Sequence, residues 1–271
     1  MFGTIVLRHL PTDEVHIDGA YLAIQGGFRG FSEVPPSCWH YVSIQSGDRP
    51  VGFWCWLNLD DVIVKAFDPD RGWIDDDPEA TVAYQDLVRN GAMESALRPY
   101  PHDFFGSWYG IVSYLRQDAF PPVLHNADAS VGESRFVNAF LGTHQGDLDA
   151  FLGEFQYAFL CWLIDSESDD QTSLANVGFD RWLHLLLAVY NAGEFSMSDH
   201  AELFAKLVDI LLRQFDCLGD SFFEQDSALI SQIDYLIEDM SDTEISELIH
   251  QSQKLENYLQ TRLARASNAS T

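Results

Sequence analysis

The period of the apolar residues changes along the chain, and that change limits the fold more than any other sequence feature. From Thr4 to about Phe67, short runs rich in Val, Ile, Tyr, Phe and Trp are broken by Gly, Pro, Asp and Ser, a pattern of strands joined by tight turns. The expected strands are Thr4 to Leu7, Tyr21 to Gln25, Trp39 to Ile44, Pro50 to Leu57 and Val62 to Phe67. The third and fourth flank a Ser-Gly-Asp turn at 46 to 48 and should form a hairpin. Beyond Asp147 the apolar residues recur every three to four positions, giving expected helices at 149–164, 179–191, 198–215, 221–239 and 242–265. On the third of these, Leu203, Leu207, Ile210 and Leu211 share one stripe, which is the signature of core packing. The last is expected to carry Asp242 and Glu244 at its positive end and Arg262 and Arg265 at its negative end.

Between these regions, 79–98 and 103–117 read as helices, with Arg98-Pro-Tyr-Pro101 forcing an extended break because each proline disfavours helix before itself. Asp77 before Pro78 and Glu79 supplies a helix start, an Asp cap followed by proline in the first turn. The expected organisation is α+β: a β-rich N-terminal domain ending in helices over 1–120, a crossover at 121–146, a helical bundle or solenoid at 147–265 and a tail at 266–271.

Composition narrows the function classes. With 42 acidic against 15 basic residues, the net charge is −27, which repels phosphate backbones and anionic lipid, so neither nucleic acid nor membrane is an expected partner. A basic protein suits this field, and a generally acidic solvated surface accounts for it as well. The N-terminal apolar run is broken by Arg8 and His9 and does not read as a leader, and no segment approaches the roughly 18 apolar residues needed to span a bilayer. Cys38, Cys55, Cys161 and Cys217 stand apart, as buried thiols of a reducing compartment do. A cytoplasmic or nuclear location is expected.

Local catalytic signals are missing. The nine histidines form no His-Glu-x-x-His pair, and there is no nucleophile elbow, phosphate loop or dinucleotide fingerprint. The acidic stretch from Asp68 to Glu79 places Asp68, Asp70, Asp76 and Glu79 at the first, third, ninth and twelfth positions of a calcium-type loop. Trp73 stands where the sharp turn of such a loop needs glycine, so an exposed acidic turn is the simpler reading. A metal-assisted hydrolase built on this stretch and a remote histidine stays as the alternative; no catalytic residue and no cofactor is otherwise expected.

Several collinear runs carry a family resemblance: Gly-Gly-Phe28-Arg29-Gly30-Phe followed by Pro35-Pro36, then Arg-Pro99-Tyr100-Pro101 ahead of a helix with Trp108, and above all FLGEFQYAFLCWL at 151–163. In the last, Leu152, Gly153, Glu154, Gln156, Ala158 and Phe159 match a Leu-Gly-Glu-x-Gln-x-Ala-Phe motif, and Phe179, Trp182, Leu185 and Leu186 continue the likeness. Together they resemble the AAR-two family of splicing factors. The resemblance implies a β-rich domain joined to a helical one, and a non-enzymatic assembly factor that binds the largest spliceosomal core protein around its RNase-H-like region. The chain is short for that family, and Trp39 to Ser43 replaces the His-x-x-His-Tyr character expected after the proline pair. Phe28, Arg29, Gly30, Pro35, Pro36, Tyr100, Glu154 and Gln156 are the candidate partner-binding residues. For an organism without a spliceosome, the resemblance implies a binding scaffold outside splicing. For Phe28 to Gly30 the residues themselves are read more simply as a structural turn, and for Gly153, Glu154 and Gln156 as close packing around a buried polar anchor.

Overall fold

In a computed structural model of the chain, the described residues are 2–24, 26–47, 49–126, 130–164, 174–219, 222–223 and 227–269. They divide into two compact units, 1–113 and 114–271.

The first unit holds β1 (Gly3–Arg8), β2 (Glu14–Ile17), β3 (Ala20–Ala23), β4 (Gly30–Val34), β5 (Cys38–Ser46), β6 (Arg49–Leu57), β7 (Val62–Asp68), β8 (Gly72–Asp75), α1 (Pro78–Arg89), β9 (Leu97–Pro99) and α2 (His102–Val112). The strands make two sheets, ordered β8-β7-β1-β4-β9 and β3-β2-β5-β6. β1 runs parallel to β7, and β4 parallel to β9, while every other pair is antiparallel. Alternation along β1 explains the layers: Ile5 and Leu7 join Val42, Ile44 and Leu57 in a core shared by both sheets, and Val6 faces the other way onto Val62, Val64 and Met93 beside Tyr84 and Val88 of α1. A strand buried on both faces carries an unbroken apolar run, as Ile5-Val6-Leu7 does here.

The expected hairpin forms, with β5 and β6 paired from Cys38–Leu57 to Ser46–Arg49 around Gly47, whose φ is +65°. Asp48 of that turn and Gln25, the expected end of a strand, lie outside the described residues. β2, β4, β8 and β9 go beyond the strands expected from sequence. The helix expected over 79–98 stops at Arg89, because Gly91 turns the chain at φ +78° and Leu97–Pro99 then pairs with β4. Its start is as expected: the Asp77 carboxylate accepts the N–H groups of Glu79 and Ala80. The helix with Trp108 closes at Val112, short of residue 117.

The second unit contains a short 3₁₀ turn at Gln117–Ala119, α3 (Glu133–Phe136) running into a π-helical stretch at Val137–Thr143, then α4 (Leu148–Ile164), α5 (Leu174–Tyr190), α6 (Gly193–Asp199), α7 (Ala201–Asp216), α8 (Ser227–Asp242) and α9 (Ser246–Ala269). The segment 121–146, read from sequence as a crossover, thus contributes helix, and its Phe136 and Phe140 enter the core. α4 is the spine: every residue from Phe151 to Cys161 is buried. Gly178 lets α5 approach it closely, since a Cβ there would lie 2.7 Å from the Ala158 carbonyl oxygen. The four residues of the expected stripe on α7 are all buried.

The helix expected at 198–215 is two, broken at His200, and Asp242 ends α8 instead of opening the last helix, whose first-turn acid is Glu247. Ser221, an expected helix start, lies outside the described residues, as do 270 and 271 of the expected tail; α9 itself continues to Ala269. Among the described residues, no helix is long and apolar enough to cross a membrane.

Candidate functional site

Glu154 is the most elaborately coordinated side chain of the second unit. It sits on α4, 1% exposed, and a buried carboxylate is tolerated only when its oxygens are fully partnered. Arg181 of α5 donates from Nε to Oε1 at 2.7 Å and from Nη2 to Oε2 at 2.9 Å, a bidentate fork. The backbone N–H of His125 donates to Oε1 at 2.6 Å, and the His125 ring brings Nδ1 to 3.1 Å from Oε2. His144 Nε2 lies 2.7 Å from the same Oε2 but out of line for a hydrogen bond. Burial pushes the Glu154 carboxyl up, yet His144, Arg181 and the His125 N–H together outweigh it and hold its pKa at about 2.

Two neighbours on α4 complete the arrangement. Gln156, fully buried, accepts the Tyr114 N–H at 2.8 Å, and Gly153 leaves room for the Tyr114 carbonyl oxygen, which a Cβ would meet at 2.7 Å. The Gly-Glu-x-Gln run therefore pins the chain from Tyr114 to His125 against α4. Beside it opens a cavity of about 470 Å³ whose wall includes Phe120, Pro122, His125, His144 and Glu154.

The first unit has its own buried carboxylate. Asp18, at φ +54° in the turn between β2 and β3, takes His40 Nδ1 at 2.5 Å and the Tyr100 hydroxyl at 2.7 Å on Oδ2, and the Tyr41 N–H at 2.9 Å on Oδ1. His40 Nε2 reaches the Pro35 carbonyl oxygen at 2.7 Å, with Cys38 Sγ at 3.2 Å. Burial pushes the His40 pKa down, but the Asp18 charge prevails and raises it to about 10. Burial first, then Asp18, pushes the Tyr100 phenol well above its ordinary value. Cysteine, histidine and aspartate in line match the order of a nucleophilic triad, yet the His40 and Asp18 side chains are wholly shut from solvent, so no substrate can reach them. All four cysteines are free, with Cys38, Cys55 and Cys161 buried as expected and Cys217 only partly so, and burial raises the Cys55 and Cys217 thiols above their ordinary range.

The eight residues singled out from sequence separate into inside and outside. Pro35 and Tyr100 converge on Asp18 and His40; Glu154 and Gln156 lie within the second unit. Gly30 is structural: its φ is +136°, and a Cβ would lie 1.9 Å from the Ile5 carbonyl oxygen. Arg29 is exposed, and Phe28 and Pro36 are half-buried, Phe28 packing edge-on against Phe31.

Four of the six acids of 68–79 are engaged by other groups of the unit. Asp68 accepts the N–H groups of Asp70 and Arg71, Asp75 pairs with Lys65, Asp76 pairs with Arg8, and Asp77 caps α1. Among the described residues, the group of His, Cys, Asp or Glu side chains that comes close enough to share an ion is His125, His144 and Glu154. Sequence reading found Glu154 and missed His125, His144 and Arg181, because these lie 10 to 29 residues from it with no local spacing to reveal them.

A β-sandwich unit followed by a helical unit, each organised on a saturated buried carboxylate, defines a two-part α+β scaffold. Residues 1–125 match the AAR2 N-terminal domain and residues 124–265 the AAR2 C-terminal repeat region, so the chain belongs to the AAR2 family. It is also similar to the protein AAR2 homolog of Caenorhabditis elegans, 29% identical over 93 residues, a match spanning 34% of this chain and 26% of that relative.

Proposed function

We propose that this protein is a splicing-related assembly factor that acts by binding a larger protein and does no chemistry of its own. Membership in the AAR2 family, matched across 1–125 and 124–265, is the observation that carries this reading. In its finer form the partner is the RNase-H-like region of the largest spliceosomal core protein, held until a competing protein takes its place. The mechanism is steric: a few anchor residues fix the complex, and the acidic field speeds encounter with a basic surface. The net charge of −27 supports a protein partner over nucleic acid.

Contact runs through the exposed Arg29 with Phe28 next to it, and through Pro36 past the other end of β4, while Pro35, Tyr100, Glu154 and Gln156 act from inside by holding their loops in place. Saturation of Asp18 and Glu154 by fixed donors also supports a structural over a catalytic use of these carboxylates.

The test is capture of the tagged protein from its own cells at low salt, a moderate salt wash, and mass spectrometry of what stays bound. Recovery of the large spliceosomal core protein, weakened by Arg29→Ala, is the expected result. An unrelated stoichiometric partner would end the splicing assignment, and an empty eluate across several conditions would end the binding-factor reading itself.

A further inference from the structure

His125, His144 and Glu154 come from three separate stretches of chain, and no motif links them. Their ligand atoms nevertheless lie within 4.8 Å of one another. His144 is the informative member. Its side chain is 5% exposed, and its Nε2 stands 2.7 Å from Glu154 Oε2 in a close contact that is not a well-formed hydrogen bond, so a buried ring nitrogen is left without a hydrogen-bond partner beside a carboxylate oxygen. The His125 ring offers Nδ1 to the same oxygen at 3.1 Å. It packs edge-on against the His144 ring, with centroids 5.4 Å apart.

We infer that His125 Nδ1, His144 Nε2 and Glu154 Oε2 form a binding site for a divalent transition-metal ion of the zinc class. Two imidazole nitrogens and one carboxylate oxygen are the donor set that borderline ions such as Zn²⁺ prefer, whereas calcium and magnesium require oxygen. Metal–ligand bonds of about 2.0–2.2 Å in tetrahedral array hold donors a little over 3 Å apart. The His125 contact with Oε2 already has that spacing, and the His144 contact must widen by a fraction of an ångström. The half-exposed His125 ring has the freedom to close the third side.

Arg181 acts as the outer partner. It donates from Nε to Oε1 and from Nη2 to Oε2, fixing the orientation of the oxygen offered to the ion at the cost of a positive charge close to it. The site is therefore one of moderate affinity that exchanges its ion, in contrast to a structural zinc that the fold requires. Three protein donors leave a coordination position for water or a ligand, and the cavity of about 470 Å³ borders these same three residues. The inference does not depend on which partner the protein binds, since it rests on the geometry of these three side chains alone.

The test is a titration of the full chain, stripped with chelator, with cobalt(II), whose visible absorption reports low-coordinate nitrogen and oxygen ligation, followed by displacement with zinc(II). The expected result is one equivalent of bound ion with a visible band. His125→Ala and His144→Ala should each weaken binding at least about tenfold, since a direct ligand matters no less than an outer-shell partner. His125 is the safer variant, being half-exposed, and unchanged far-UV circular dichroism certifies its fold; if His144→Ala does not fold, His125→Ala alone decides. No band in the parent protein, or a band that persists unchanged in the folded variants, overturns the site.

Discussion

Asp18 and Glu154 are buried to a similar depth in the two units, yet they are held by different kinds of partner. Around Asp18 the charge comes from His40, which can release its proton, and the remaining donors are a phenol and a backbone N–H. Around Glu154 the charge comes from the guanidinium of Arg181, and the two imidazoles border a cavity. A buried ion pair with a titratable member can neutralise itself when disturbed; one with a guanidinium cannot.

The largest effect follows from that contrast. Glu154→Gln leaves Arg181 charged and unpaired, and should cost about 3–5 kcal/mol in chemical denaturation, enough to unfold the second unit in many backgrounds. Asp18→Asn should cost less, about 1.5–3 kcal/mol, because His40 deprotonates once its counter-charge is gone. Equal costs at the two sites would break the distinction between a titratable and a permanent partner.

Acid and alkali should then act on opposite units. The Glu154 carboxyl has its folded pKa depressed to about 2, so its contribution is complete above the ordinary value of 4.5 and is lost as pH falls toward 2. The His40 pKa is raised to about 10, so its contribution is complete below 6.5 and is lost as pH rises through 10. Hydrogen exchange followed by unit should show the helical unit weakening first in acid and the sandwich first in alkali. The smallest expected change is in stability on Arg29→Ala, within about 0.5 kcal/mol, since the side chain is exposed; only partner capture should fall.

What was legible in the sequence was what local periodicity encodes. The stripe of Leu203, Leu207, Ile210 and Leu211, the hairpin at residues 38–57 and the Asp77 cap all depend on neighbours a few positions away. β4 and β9 escaped because they are short and draw their pairing from a distance, with Phe31 opposite Arg98, and the Arg-Pro within β9 reads locally as a break. The Glu154 site was half legible. Family resemblance drew attention to Gly153, Glu154 and Gln156, but the reason for each, a carbonyl approach at Gly153 and two backbone N–H groups taken by the others, needed the tertiary structure. His125, His144 and Arg181 meet only through the packing of α4 and α5 and of the chain before them.

The parallel pairings of the first unit also bear on how the protein is made. As the chain leaves the ribosome, Ile5 and Phe31 can pair with each other once β4 is out, but Ile5 must wait for Ile63, and Phe31 for Arg98, before each finds its parallel neighbour. The apolar run at residues 5–7 therefore keeps one open edge until residues 62–68 have been made, a period in which it depends on dilution or on chaperones. The later helices have no such wait, since α4 docks on α5, the next helix to emerge. A nascent chain stopped before residue 62 would thus be more prone to aggregate than one that has passed residue 68, although only a few more residues have been added.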